Sequence, residues 1–377
     1  MKNLIVGAGL TGSVIANLIA KSGEKVTVID KNNFVGGNIN DYIDEQTQIH
    51  VHRFGPHIFH TNSERVWQYL SQFTDWHEYS FEPNVVIKGQ KVTLPFNLNT
   101  IKQCFEEQTA EKYIKKLVDT YGMEHKVPIL ELKQTDDEDL KFIADFVYKY
   151  VFEGYTIKQW GLKPEEIDPS ITARVPVFIS YDNRYFQDKY QAIPQNGYTE
   201  MVKNILNHKN IEVRLNTKYQ DLNESFDRIF YTGSIDEFFD YKYGMLPYRS
   251  LTFDIETHDC EYYQPTAMVN YPCDNDFTRI TEHKHFLSEK SEKTVISKEY
   301  SHTFELGKNE RYYPIKSDAN AELYDKYLND AKQLKNTYFL GRLGAYKYYN
   351  MDQAVLAALE FFDKIKICLN EIKLIKS

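Results

Sequence analysis

No run in this sequence approaches the roughly 18 consecutive apolar residues that a membrane-spanning helix needs, so no span is expected. Cysteine is scarce. Cys104, Cys260, Cys273 and Cys368 are scattered without C-x-x-C spacing, which argues against a disulfide framework or a zinc site and reads as reduced thiols of a cytoplasmic protein. A basic excess is missing too: 45 basic residues against 54 acidic ones leave a net charge of −9. That argues against a nucleic-acid surface and against a polybasic membrane anchor. A small anionic ligand stays compatible, because a few arginines make a local positive site. No second G-x-G-x-x-G announces a separate NAD(P) domain. Met1-Lys2 and the apolar stretch after it mimic a signal peptide, but no small-residue cleavage site follows.

What remains is a globular composition, 26% charged and 42% hydrophobic, in 377 residues, enough for about two or three lobes. The 29 tyrosines and 23 phenylalanines are a heavy load. Much of it must be core, although tyrosine also suits wet clefts where one end of the ring is polar.

The first forty residues carry the strongest local signal. Leu4-Ile5-Val6 reads as a buried strand, followed by Gly7-Ala8-Gly9-Leu10-Thr11-Gly12, a helix over 13–21 and a second strand, Lys25 to Ile29, ending in Asp30. Gly7 permits the tight turn, Gly9 lets backbone approach a pyrophosphate, and Gly12 lets helix and strand pack closely. The helix N-terminus offers free N–H groups to that pyrophosphate, and Asp30 can accept from a ribose. In this order the parts make a dinucleotide fingerprint. Gly36-Gly37, six residues past Asp30, adds a second glycine turn of the kind found in many FAD proteins.

Further along, His50, His52, His57 and His60 crowd one turn around Gly55-Pro56. A metal site is one reading of them; the other puts His57 against a cofactor. Residues 62–73 read as a helix and 81–94 as a hairpin through Lys88-Gly89. From 99 to about 154 the texture is helical, and Gly154 is expected to end the last helix. Tyr155 to Pro164, with its Gly, Pro and Trp160, is expected to be an exposed loop over a cleft. Strands follow at 211–217 and 228–231, the latter closed by Thr232-Gly233. Residues 251–300 alternate in β fashion, and 337–340 form a last strand before Gly341-Arg342-Leu343-Gly344 and a helix from Met351.

Gly55 to Thr61, Gly154 to Gly161, Thr278 to His283, Tyr312 to Ile315 and Gly341 to Gly344 together resemble bacterial, FAD-dependent UDP-galactopyranose mutases over nearly the full length. The resemblance implies an enzyme that interconverts the pyranose and furanose forms of UDP-galactose, for cell-surface polysaccharide precursors. It implies FAD, active when reduced, whose N5 forms a covalent adduct with the sugar without net redox change. It implies Arg174 and Arg279 on the diphosphate, with His57 as a third catalytic candidate. The implied substrate pocket holds Asn84, Phe152, Tyr155, Thr156, Trp160, Tyr185, Asn270, Glu299, Tyr313, Tyr348 and Asn350. The candidate cofactor set is Gly7, Gly9, Thr11, Gly12, Asp30, Gly37, Asn38, His57, His60, Arg342, Met351 and Asp352, with no metal. Asn350 stands where the family often has Asp, which bears on sugar preference, including an N-acetylated sugar.

The expected fold is α/β. A discontinuous Rossmann-like FAD-binding domain (1–80, 195–240, 330–377) carries an inserted helical lobe (98–165). An antiparallel sheet substrate domain (81–97, 166–194, 241–329) completes it. A homodimer taking UDP-galactose and an external reductant is implied. A flavin-dependent oxidoreductase on the same fold, or a mutase preferring UDP-N-acetylgalactopyranose, are the alternatives.

Overall fold

Lys2–Val6 and Lys25–Ile29 pair in parallel, with Ile5 opposite Val28. In the computed structural model, which describes residues 1–161, 176–273 and 275–376 and side chains as far as 365, these strands lie in a five-stranded sheet. Its order is Ile211–Arg214, Lys25–Ile29, Lys2–Val6, Arg228–Tyr231, Thr337–Phe339, and every pairing is parallel. The apolar face of helix Leu10–Lys21 buries Val14, Ile15 and Ile19 completely, each worth about 1.5–3 kcal/mol. The helix Met351–Lys376 and the helix Tyr198–Leu206 pack into the same core through Val355, Leu359, Met201 and Ile205.

A seven-stranded sheet stands beside it, ordered Tyr313–Pro314, Tyr248–His258, Thr294–Thr303, Arg279–Glu282, Met268–Asn270, Asn84–Ile87, Gln90–Thr93. It is antiparallel except where Met268–Asn270 runs parallel to Asn84–Ile87. The helices Leu98–Cys104, Glu107–Tyr121 and Glu138–Val147 close over a separate core of Leu117, Ile143 and Val147.

Two expectations are corrected here. The helix does not stop at Gly154. It runs from Glu138–Val147 through a π-helical turn, Tyr148–Glu153, into Gly154–Trp160. Gly154 has ordinary helical φ and ψ of −63° and −40°. It is glycine because a Cβ there would stand 2.3 Å from the Pro272 carbonyl oxygen. The stop is Gly161, in the left-handed region at φ +69°. Of the expected exposed loop, residues 155–160 are therefore helix, with Thr156 and Gln159 buried, and 162–164 lie outside the described residues.

Within 166–194, the described residues 176–194 also depart from the expected sheet, and 166–175 lie outside the described residues. The strand Pro176–Ile179 pairs with His125–Pro128, inside the helical region. Tyr190–Pro194 pairs with Phe59–Thr61 and Trp76–Glu78 in a three-stranded sheet of its own. These partner strands are three or four residues long and too short to show periodicity.

Candidate active site

The first glycine turn builds a groove. Gly7 sits at φ +107°, and a Cβ there would strike Thr232 Oγ1 at 2.1 Å. A Cβ on Gly12 would lie 2.0 Å from the Gly7 carbonyl oxygen, so helix and strand approach only through glycine. Gly36-Gly37 closes the other wall: Gly36 N–H donates to Ala8 O at 2.9 Å, and a Cβ on Gly37 would lie 3.2 Å from the Gly9 Cα. At the end of the second strand, Asp30 accepts from the Ala8 N–H at 2.8 Å and from the Asn32 N–H at 2.9 Å. Burial raises its pKa, against the pull of those two N–H groups. The groove has a volume of about 740 Å³, within the usual range for ligand sites, and Gly7, Gly9, Thr11, Gly12, Asp30, Gly37 and Asn38 line it.

A second cavity of about 530 Å³ adjoins the groove. The two share Asn38, His57, Arg342, Asn350 and Met351. His57 is held by its Nδ1, 2.8 Å from the Gly55 carbonyl, which can only accept. The proton therefore sits on Nδ1, and Nε2 of the neutral ring is an acceptor. Burial, with Arg342 nearby, lowers its pKa to about 4, so the ring is neutral at physiological pH. Behind it, the His57 N–H donates to His52 Nδ1 at 3.1 Å, and the His52 N–H donates to His283 Nδ1 at 3.2 Å. His52 stacks on Phe286 with 4.7 Å between ring centroids. The turn that carries His57 thus rests on two buried, neutral imidazoles.

Across the second cavity, Arg279 rises from its strand with Glu299 directly opposite in register. Its Nε is 3.3 Å from Glu299 Oε1, and Nη2 donates to the Tyr155 hydroxyl. Burial opposes the guanidinium's charge, but Glu299 and the surrounding tyrosines outweigh it and raise the pKa, so Arg279 stays a fixed cation. The Arg342 guanidinium lies 5.2 Å from the Tyr313 ring and 5.3 Å from that of Tyr348, and donates to Tyr349 O at 2.6 Å. Trp160 packs on the same two rings at 6.1 and 6.4 Å. Cations, tyrosines and the last turn of a helix therefore converge on one space beside the groove.

Residues 150–348, more than half of the chain, match the UDP-galactopyranose mutase family, and residues 5–73 match an NAD(P)-binding Rossmann-like domain. The chain belongs to the UDP-galactopyranose mutase family. It is an isomerase by that membership. A probable UDP-galactopyranose mutase of Klebsiella pneumoniae is 40% identical over 96% of this chain and 94% of its own. A dTDP-fucopyranose mutase of Escherichia coli is 38% identical over 95% and 97%. The solved structure of a reduced UDP-galactopyranose mutase superposes with a TM-score of 0.71 over 97% of this chain and 93% of that one. At 16% identity, this likeness speaks to the fold.

In this family member the expected site residues do not all reach the cavities. Phe152, Tyr155, Thr156, Trp160, Tyr185, Asn270, Arg279, Tyr313, Tyr348 and Asn350 line the second one, with His57 and His60. His60, expected at the cofactor, faces this cavity and not the groove. It stacks on Phe186 at 3.6 Å and bonds Asp188 at 3.1 Å. Glu299 is not a lining residue; it acts on the site through Arg279. Asn84 pairs with Thr93 in the hairpin and lines neither cavity. Asp352 likewise lines neither and takes the Thr61 hydroxyl at 3.2 Å. Arg174 lies outside the described residues. The four histidines diverge, His50 to Glu289 and His60 to Asp188, and no metal-holding cluster occurs among the described residues. No helix among them is long and apolar enough to cross a membrane.

Sequence reasoning missed Gln159, Met268 and Tyr312 in the second cavity, and Tyr219, Glu310 and Arg311 in the groove. Gln159 had a signal: it stands three residues after Thr156 and four after Tyr155, one helical face, had the segment been read as helix.

Proposed function

We propose that this isomerase interconverts UDP-galactopyranose and UDP-galactofuranose, with reduced FAD in the glycine groove and no net redox change. The product would serve as a precursor for cell-surface polysaccharide. The observation that carries the reading is the junction: the dinucleotide groove opens into the substrate cavity at His57, Arg342 and Met351. The residues fit FAD, since the Gly7–Gly12 turn and the Gly36-Gly37 turn leave backbone N–H groups and space where side chains would block a pyrophosphate. Reduced flavin, when bound, supplies a nucleophilic nitrogen for the anomeric carbon.

The protein's part is to bind, orient and exclude water. Arg279, kept charged and aimed by Glu299, stabilises the charge that grows on a departing diphosphate. Arg174 is the expected second guanidinium. Tyr185, Tyr313 and Tyr348 offer hydroxyls to diphosphate and sugar, and Arg342 fixes two of those rings from below. Trp160 packs beside Tyr313 and Tyr348 on the same cavity. The neutral His57 presents an acceptor at the junction.

The Escherichia coli relative supports a second substrate reading, dTDP-fucopyranose. Chromatography of dithionite-reduced protein with UDP-galactopyranose, UDP-N-acetylgalactopyranose and dTDP-fucopyranose in separate reactions tests both. An isomeric sugar nucleotide formed from the first supports the main reading. Turnover of dTDP-fucopyranose alone replaces it with the second, and net oxidation of any sugar by the oxidised enzyme refutes both.

A further inference from the structure

Arg249 lines neither cavity and is not among the expected site residues. It sits in the strand Tyr248–His258, 6% exposed, and burial pulls its pKa below the usual guanidinium value. Its partners are neutral oxygens. Nε donates to the Gln159 carbonyl at 2.9 Å and Nη2 to the Lys158 carbonyl at 3.2 Å. Nη2 also donates to Ser301 Oγ at 3.1 Å, and Nη1 to Thr303 Oγ1 at 3.2 Å. Ser301 Oγ in turn donates to the Gln159 carbonyl at 2.8 Å. The two carbonyls belong to the last turn of the helix Gly154–Trp160, where such groups have no partner inside the helix and the dipole favours a cation. Gly161 completes the fit: a Cβ there would stand 3.0 Å from Arg249 Nη1. If the helix end moved away, a buried guanidinium would lose its partners, so Arg249 holds that end in one place.

What the helix end carries gives the clamp a use. Trp160 packs against Tyr313 at 6.1 Å, and Tyr313 stands opposite Arg249 in the strand register. One residue therefore ties both rings, the tyrosine through its backbone and the tryptophan through its side chain. One turn earlier, the Tyr155 hydroxyl accepts from Arg279 Nη2. Moving the helix would shift the tryptophan and the partner of that cation together. We propose that Arg249 is a positioning residue of the sugar-nucleotide cavity: by capping the helix Gly154–Trp160 it sets Trp160 against Tyr313 and the Tyr155 hydroxyl against Arg279. This rests on the nucleotide-sugar reading above and deepens it. The effect reaches the substrate through Trp160 and Tyr155, since Arg249 itself lines neither cavity.

The test is the affinity of the oxidised holoenzyme for UDP, measured by calorimetry, with flavin content as the check on folding. Arg249→Met keeps the length and removes the donors; UDP should bind about tenfold more weakly while flavin content stays at the wild-type level. Arg249→Lys keeps the charge on a single point donor and should lose only about threefold. Ser301→Ala, a milder cut at the same carbonyl, should also lose about threefold. Trp160→Ala supplies the control. In that background Arg249→Met should cost no more than about threefold, because a group it positions is gone. A residue that only stabilised the fold would cost the same in both backgrounds. Should Arg249→Met fail to hold flavin, Ser301→Ala carries the same comparison. Equal penalties with and without Trp160, or wild-type affinity in Arg249→Met and Ser301→Ala, would overturn the assignment while leaving the proposed reaction standing. A wild type that binds no UDP would overturn the nucleotide-sugar reading itself.

Discussion

The glycine groove and the cavity beside it are neighbours made in different ways. The largest single share of the groove's lining comes from one unbroken stretch, Gly7 to Asn38, in which the turns are set by glycines. The cavity is gathered from distant pieces: a histidine turn at 57–60, a helix at 154–160, a strand carrying Arg279 and a C-terminal turn at 342–351. The first depends on backbone, and a single methyl group blocks it. The second depends on how separate parts of the fold seat against one another, and it yields by degrees. Nucleotide binding and sugar chemistry should therefore fail separately under mutation.

The largest effect is expected in the groove. Gly12→Ala puts a Cβ 2.0 Å from the Gly7 carbonyl, which neither backbone segment can avoid. Flavin affinity should fall by more than about 100-fold, read as loss of the yellow chromophore on desalting. Retention of full flavin would break the comparison. Next comes Arg279→Lys, which keeps the charge and loses the fork. The kcat should fall about 100-fold while flavin content stays at wild-type level. Parallel loss of flavin would show that the two regions are not separable.

An intermediate effect is expected from the buried imidazoles between them. Burial lowers the pKa of His52 well below the usual value and that of His283 to about 3. The unfolded chain binds protons at these histidines below about pH 6.5, and the folded chain does not. Stability is thus complete above pH 6.5 and declines as pH falls toward the folded pKa values, by up to about 1.4 kcal/mol per pH unit for each histidine. Urea unfolding from pH 7.5 to 5 checks this; a flat profile would contradict it. The smallest effect is Gly154→Ala. Because a Cβ meets the Pro272 carbonyl at 2.3 Å, a loss of about 1–3 kcal/mol is expected, with a raised KM for the sugar nucleotide and unchanged flavin content.

The same contrast explains what could be read from the chain. The groove was legible because its signals are local: glycine spacing, an acid at a strand end, a helix start. Long strands and helices were legible for the same reason. Gly154 was misread because its reason for being glycine, a carbonyl 118 residues further along, is tertiary. The helix therefore ended too early on paper, and Gln159 was hidden with it. His60, Glu299 and Asp352 were expected at the site by resemblance; their partners Asp188, Arg279 and Thr61 set where their side chains lie, and only packing shows those partners. Strands as short as Phe59–Thr61 carry no period to read.

The account's central claim is that the flavin at this junction is used without being consumed. The direct measurement is the ratio of isomerised UDP-sugar to reducing equivalents after one limited addition of dithionite under anaerobic conditions. The account predicts many product molecules per flavin reduced, with the flavin still reduced at the end. One product per two electrons, with the flavin's oxidation state changing in step, would contradict it.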